Sequence, residues 1–340
     1  MKSQMLLDIE SQWQGWHQAV ELVTASAGTI RELVVGRQAR FLGAGSSYYL
    51  GNVASSVWAE LGLAASSVPA SEPLLHPRRY PWDAHDVAIA VSRSGTTTET
   101  LEALKRAKAA GAKTIAITTV DDSLIGEVAD LTFVVSAAAE QATVQTRSFS
   151  SQLMTSLGLA AQLRTPEDLG RLRSWLPNAP ELIARSSGAV ARLGMHWDRA
   201  YFLGTGTMVG LAQEGALKMK ETALTEAEAF QTLEFRHGPK SMVDERTLVI
   251  GLLSEESEAQ ELKVLREVHE LGAQLFLVGV AQPTDFPGVA VDVGGGVPPT
   301  LNAPLHLPAL QFLAHRRAIH QGIAPEHPRN LSFAVQLDGF

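Results

Sequence analysis

Two tandem doubly wound, flavodoxin-like α/β units, each built on a parallel sheet, are the fold class this sequence predicts. Three observations lead there. Val87-Ala88-Ile89-Ala90-Val91 is an apolar, β-rich run without polar alternation, which reads as a strand buried on both faces. Runs of this kind alternate with helical stretches through the first half, the rhythm of a parallel sheet covered by helices. The second half then repeats the first at an offset of 161 residues. Phe41-Leu42-Gly43-Ala44-Gly45-Ser46 returns as Phe202-Leu203-Gly204-Thr205-Gly206-Thr207, and Gly111-Ala112-Lys113 as Gly272-Ala273-Gln274. Self-similarity over a whole domain length means two copies of one unit, not a solenoid.

In chain order, residues 1–37 read as helical, with Trp13, Trp16, Val20 and Val23 as apolar positions. Arg40–Gly43 is a short strand, Ala44–Ser47 its turn, and Tyr48–Leu61 the helix after it. An extended piece from Val68 ends in a loop carrying Pro73, Pro77 and Pro81, which belongs at the surface. The strand at Val87 leads through a hydroxyl-rich loop into a helix that Gly111 stops. Thr114–Thr118 and Leu131–Val135 are further strands, and a helix over 149–163 closes the half. Pro166, Pro177 and Pro180 make 164–190 the natural junction, so the expected domains are 1–175 and 176–340.

Composition narrows the function. The 340 residues suffice for two cores, and 45% hydrophobic against 19% charged residues describes a folded globular chain. A net charge of −8 argues against nonspecific nucleic-acid binding, which needs a basic surface. The absence of cysteine excludes disulfides, thiolate zinc and a cysteine nucleophile. None of the ten histidines has the spacing of a helical zinc site, so no metal and no cofactor are expected. The N-terminal stretch lacks a signal-peptide core and no apolar run reaches the ~18 residues of a span. A cytoplasmic protein without a membrane partner is the expectation.

The chemistry concentrates in two places. Ser92-Arg93-Ser94-Gly95-Thr96-Thr97 joins a buried strand to a helix start, where unpaired N–H groups and the helix dipole favour an anion. One hydroxyl suffices to cap a helix. Four around a glycine exceed that need and point to phosphate. Ser46 and Ser47 follow the neighbouring strand and share the same crevice. Gly43-Ala44-Gly45 is too short for a dinucleotide fingerprint, because Tyr48 stands where the third glycine belongs. Where the first copy has this loop, the second has Ser254-Glu255-Glu256-Ser257-Glu258, whose carboxylates repel phosphate.

The second place is Glu214-Gly215-Ala216-Leu217-Lys218-Met219-Lys220-Glu221, followed by Glu228, Glu234 and Arg236-His237-Gly238-Pro239. Glu214, Lys218 and Glu221 fall along one helix face. By charge pattern alone this is a solvated ladder. Gly215 and Ala216, however, permit close approach of a backbone or ligand, and His237 sits in a rigid turn. A histidine and a glutamate form a workable acid–base pair near neutral pH.

With these motifs in hand, the sequence resembles the sugar isomerase (SIS) domain family from Phe41 to Val335. Within it, the similarity is greatest to the isomerase half of glucosamine-6-phosphate synthase and to stand-alone amino-sugar phosphate deaminases. The resemblance implies that Ser46, Ser47, Ser92, Arg93, Ser94 and Thr97 cradle a sugar phosphate, with Thr143, Gln145 and Ser332 in substrate-contacting segments. Arg93 stands where the pattern has glutamine, and Gln145 where it has serine. It implies Glu221 as the base between C1 and C2 and His237 as the ring-opening residue, and Lys218, on the same helix face as Glu221, is the expected stabiliser of charge on oxygen. In the family that histidine comes from a second subunit, so a homodimer is implied.

Two departures matter. A glutaminase domain with its cysteine is not expected, so glutamine is not the expected nitrogen donor. His327-Pro328-Arg329-Asn330-Leu331-Ser332 matches the family tail until Phe333, where the synthase has an imine-forming lysine. The expectation is therefore an amino-sugar phosphate deaminase/isomerase. The alternatives are a ketose–aldose isomerase or deglycase of another phosphosugar, or a non-catalytic phosphosugar sensor.

Overall fold

The computed structural model describes residues 2–280, 283–326 and 328–337. His327 of the tail motif lies outside them. The first half contains α1 (Gln4–Ser11), α2 (Trp13–Ala25), α3 (Ala27–Val34), β1 (Gln38–Gly43), α4 (Ser46–Glu60), β2 (Ala65–Pro69) and α5 (Glu72–Leu75). It continues with β3 (Asp86–Val91), α6 (Thr98–Ala109), β4 (Lys113–Thr118), α7 (Leu124–Val128), β5 (Leu131–Val134) and α8 (Arg147–Arg164). After α9 (Pro166–Trp175) and α10 (Ala179–Ala191) come β6 (Arg199–Gly204), α11 (Met208–Ala223), β7 (Glu226–Gln231), β8 (Thr247–Leu252), α12 (Glu258–Glu270), β9 (Gln274–Gly279), β10 (Val289–Asp292) and α13 (Leu307–His320).

Each half forms a five-stranded parallel sheet. The orders are β2-β1-β3-β4-β5 and β7-β6-β8-β9-β10, the same doubly wound topology twice. Both therefore reverse direction between their first and third strands, where the C-terminal strand ends open a crevice. Every residue of β3 and of β8 is buried, which explains their continuous apolar sequences. The segment expected as the junction, 164–190, is largely helical. Pro166, Pro177 and Pro180 each stand in a first helical turn, where a missing N–H costs nothing.

The halves meet through α4 and α11, which cross in antiparallel fashion. Asn52 donates to Gln213 at 2.8 Å, and these residues are themselves 161 positions apart. They occupy equivalent places in the two copies, so the contact lies on the pseudo-twofold axis. Gly210 makes the crossing close: a Cβ there would fall 2.6 Å from Val53 Cγ2 and 2.9 Å from its backbone N. Further along α11, Glu214 comes level with Ser46 at the start of α4. Lys218 and Glu221, one and two turns beyond, thus extend past α4 toward the first sheet's crevice.

His306, fully buried just before α13, hydrogen-bonds the Asn302 carbonyl at 3.3 Å, while its Nε2 finds no partner among the described residues. Burial holds it neutral by lowering its pKa from 6.5 to about 4. The unfolded chain takes up this proton first, so its contribution is intact above pH 6.5 and is lost as pH falls toward 4. His306→Leu is expected to lower the slope of stability against pH in that window by up to about 1.4 kcal/mol per pH unit, measured by urea unfolding.

Candidate active site

The loop between β3 and α6 is fixed by its own hydroxyls and by its neighbours. Ser92 Oγ accepts the Gly95 N–H at 3.1 Å and meets Thr97 Oγ1 at 3.3 Å. Ser94 Oγ accepts from the backbone and hydroxyl of Thr96, at 3.2 and 3.1 Å. Thr118 and Thr119 both donate hydroxyls to the Arg93 carbonyl at 3.1 Å. Gly95 is required here: its φ is +66°, and a Cβ would lie 2.3 Å from that of Ser123. Thr97 is the N-cap of α6, yet its side chain makes no capping bond. The hydroxyls of Ser92 and Ser94 thus brace the loop from within and leave the α6 N-terminus without a side-chain cap.

Ser46 and Ser47 begin α4 beside this loop, both buried. The turn before them is as tight as the sequence suggested, since a Cβ on Gly43 would fall 2.5 Å from the Ser47 backbone. Two helix N-termini, those of α4 and α6, therefore converge at the strand reversal between β1 and β3.

Opposite them lies the charged face of α11. Lys218 is sealed from solvent, with Glu214 Oε1 3.4 Å from its Nζ and Glu221 in direct contact. Ser46 Oγ donates to Glu214 at 3.3 Å, joining the two halves of the site. Burial pushes the Lys218 ammonium down, but Glu214 and Glu221 together outweigh it and hold the pKa above the ordinary value. Glu214, fully enclosed, is raised to about 7, chiefly by burial, with Lys218 pulling it down and Glu221 pushing it up. Glu221 alone of the three keeps part of its side chain, 21%, exposed. The solvated ladder that charge pattern alone suggests is thus a buried triad with one accessible end.

Of the close approaches open to Gly215, a backbone or a ligand, the structure shows packing within the protein. A Cβ there would strike the Phe202 ring at 2.6 Å, so it seats α11 on β6.

Arg93 also departs from expectation. Its backbone belongs to the loop, but its guanidinium is buried among protein acceptors. It donates to the carbonyls of Ala142, Thr143 and Phe333 at 2.9, 2.9 and 2.8 Å, pairs with Glu140 at 3.4 Å, and stacks 3.8 Å from the Phe333 ring. Glu140, which sequence reasoning missed, accepts from the Thr146 N–H at 3.1 Å and from the hydroxyls of Thr146 and Ser148. This pair fixes the segment carrying Thr143 and Gln145 against the loop. A lone glutamate after three alanines gave no signal of it.

The tail that ends the described chain crosses the start of α6. Thr98 N–H donates to Val335 O at 3.5 Å, and Leu337 N–H to Thr98 Oγ1 at 3.0 Å. Ser332 is exposed in that tail and bonds the Ala334 carbonyl.

His237 lies apart. It is exposed at the end of the Glu234–Arg236 turn, and no hydrogen bond or ion pair among the described residues joins it to Glu221, Lys218 or the hydroxyl loop. Its turn is anchored on both sides to α12: Arg236 pairs with Glu267 at 2.6 Å and Lys240 at 3.2 Å. Those bonds, Arg236 first, lower the Glu267 pKa to about 2.

The equivalent crevice of the second half encloses about 430 Å³, with Glu255 and Glu256 in its wall. Where the first half has open donors, the Ser254 N–H and the Thr205 and Ser257 hydroxyls meet the buried carboxylate of Glu261. The equivalent loop of the second half is thus closed by an internal carboxylate. A cavity of about 610 Å³ at the N-terminal ends of β1, β2 and β3 has Arg37 and Arg164 in its wall. Both donate to backbone carbonyls at the ends of α3 and α4, a capping arrangement. Among the described residues no cluster of three or more acidic or histidine side chains is placed to hold a metal, and no helix is long and apolar enough to cross a membrane.

Comparison with known proteins gives this geometry a lineage. The family model described as "SIS domain" matches residues 32–161 and 195–283. A glutamine–fructose-6-phosphate aminotransferase [isomerizing] from Pyrobaculum aerophilum is 32% identical over 319 residues, covering 90% of this chain and 52% of that protein. The chain thus spans about half the length of the curated relatives it matches. A crystal structure of glucosamine-6-phosphate deaminase from Thermotoga maritima aligns with 98% of this chain and 100% of its own, at 29% identity and a TM-score of 0.83. The tagatose-6-phosphate ketose/aldose isomerase of Escherichia coli shares the fold, with a TM-score of 0.84 at 21% identity over 97% of each chain. The matched segments span the whole first sheet and β6 to β9 of the second, and the chain belongs to the SIS domain family.

Proposed function

We propose that this protein is a phosphosugar isomerase/deaminase that converts an amino-sugar phosphate such as glucosamine-6-phosphate, with water, to fructose-6-phosphate and ammonia. The observation that carries this reading is the Ser46–Glu214 hydrogen bond, which brings a hydroxyl-lined anion crevice and a buried Glu-Lys-Glu triad into one site. The match to a deaminase structure, at 29% identity over 98% of this chain, supports it.

In the reaction, the crevice binds the phosphate through Ser47, Ser92, Ser94 and Thr97. His237, supplied by a second subunit, opens the ring and exposes the C1 aldehyde. Glu221 takes the C2 proton and returns it to C1 through an enolamine, while Lys218 stabilises charge on oxygen. The C2 ketimine then adds water and expels ammonia. No protein amine is needed, since the substrate carries its own nitrogen. Phe333, packed on Arg93, cannot form an imine.

The decisive assay is ammonia release from C6-phosphorylated amino sugars. Glucosamine-6-phosphate is expected to yield ammonia, glutamine with fructose-6-phosphate to yield no amino sugar, and borohydride with fructose-6-phosphate to leave no adduct. Equal turnover of the unphosphorylated sugar, or a reduced lysine adduct, overturns the reading. Ser94→Ala is expected to raise KM about tenfold with kcat changed less, because a phosphate bond is present in both ground and transition states. An alternative isomerase of another phosphosugar predicts ketose formation without ammonia, which the same assay separates.

A further inference from the structure

Glu214 is the carboxylate of the buried triad without a task in the reaction just described. Its side chain is sealed from solvent, and Oε1 takes the Ser46 hydroxyl at 3.3 Å and the Lys218 ammonium at 3.4 Å. Oε2 has no partner among the described residues. Lys218 is sealed as well, and its other partner, Glu221, reaches the open crevice. One buried ammonium is therefore shared by two carboxylates, one at the back and one at the front.

Sharing has a chemical consequence. A carboxylate that is the only counter-ion of a buried ammonium is held tightly and is a poorer base, because giving up that contact leaves an uncompensated charge. A second carboxylate behind the ammonium removes that penalty.

We propose that Glu214 is a positioning residue: it holds Lys218 from behind, freeing Glu221 to take the C2 proton, and through Ser46 it ties this arrangement to the phosphate crevice. The proposal rests on the reading in the preceding subsection. It makes the reaction depend on the ionisation of a group that never touches the reacting carbons.

The charged and titratable groups around Glu214 are few. Its own helix contributes Lys218 and Glu221. From α4 come the Ser46 hydroxyl and Tyr49, whose phenol is raised by burial and then by the charge of Glu214. At the C-terminal end of the first sheet, Arg93 feels the charge of Glu221, and Lys218 that of Glu140. With Glu214 raised to about 7, a fall in pH through neutrality protonates it, leaves Lys218 to Glu221 alone, and slows the proton transfer.

The test compares wild type with the isosteric Glu214→Gln, using the pH profile of ammonia release together with ¹³C NMR of glutamate carboxyls. In the wild type, kcat is expected to fall as pH drops through about 7, matched by a carboxyl carbon titrating there. In Glu214→Gln both the limb and the carboxyl signal should vanish. Its kcat above pH 8 should lie about tenfold or more below wild type, with KM nearly unchanged. Glu214→Asp, which keeps the charge at shorter reach, should restore a limb and part of kcat. An identical acid limb in Glu214→Gln, an unchanged kcat, or no carboxyl titrating near neutrality overturns the proposal. Should the wild type release no ammonia, the deaminase reading fails while the carboxyl titration, with the ¹⁵N shift of the Lys218 ammonium in both variants, still decides whether Glu214 holds Lys218.

Discussion

Glu221→Gln is expected to lower kcat for ammonia release by ~10²-fold or more, the scale of a lost general base. The amide keeps the volume and a hydrogen-bonding oxygen toward Lys218, but it cannot accept the C2 proton. Phosphosugar affinity should change little, because the hydroxyl loop and the α4 and α6 N-termini stand on other elements. Steady-state kinetics with a separate binding titration checks both halves of the statement. A kcat within threefold of wild type would remove Glu221 from the mechanism. A large loss of affinity with kcat intact would instead make it a substrate anchor. The geometry favours the first role: Glu221 is the exposed end of an otherwise buried triad, where a substrate can reach it.

The sequence revealed the strands more readily than the site. β1, β3 and β4 recur as β6, β8 and β9 at the same spacing that separates Asn52 from Gln213, and buried parallel strands must be apolar along their whole length. That constraint is local, so it is visible in a linear sequence. Glu140 and Arg93 show the opposite case. Their pairing depends on how the 140–146 segment and the tail at Phe333 fold back over the loop, and nothing in either neighbourhood encodes it. The 164–190 segment illustrates a third case. Its prolines read as breaks, yet a proline in the first turn of a helix is compatible with the helix that follows. Glu214, Lys218 and Glu221 lay between these extremes: their shared face was legible, and their burial was a product of the α4–α11 crossing.

Mixing two inactive variants is expected to recover activity that neither has alone. His237 and Glu221 belong to one chain, but nothing among the described residues joins them, and His237 stands exposed on a turn braced by Arg236 and Lys240 against Glu267. The proposed reaction takes this histidine from a partner subunit. If each site takes Glu221 from one subunit and His237 from its partner, Glu221→Gln and His237→Ala dimers each have only crippled sites. A hybrid dimer has one doubly crippled site and one intact site. Random exchange makes half of the dimers hybrids, so about a quarter of wild-type activity should return, on symmetric assembly of two equal sites. The check is ammonia release before and after subunit exchange, with light scattering to establish that dimers are present. Full activity from a monomer, or no recovery after exchange of dimers that light scattering shows to be intact, would place ring opening on a residue other than a partner's His237.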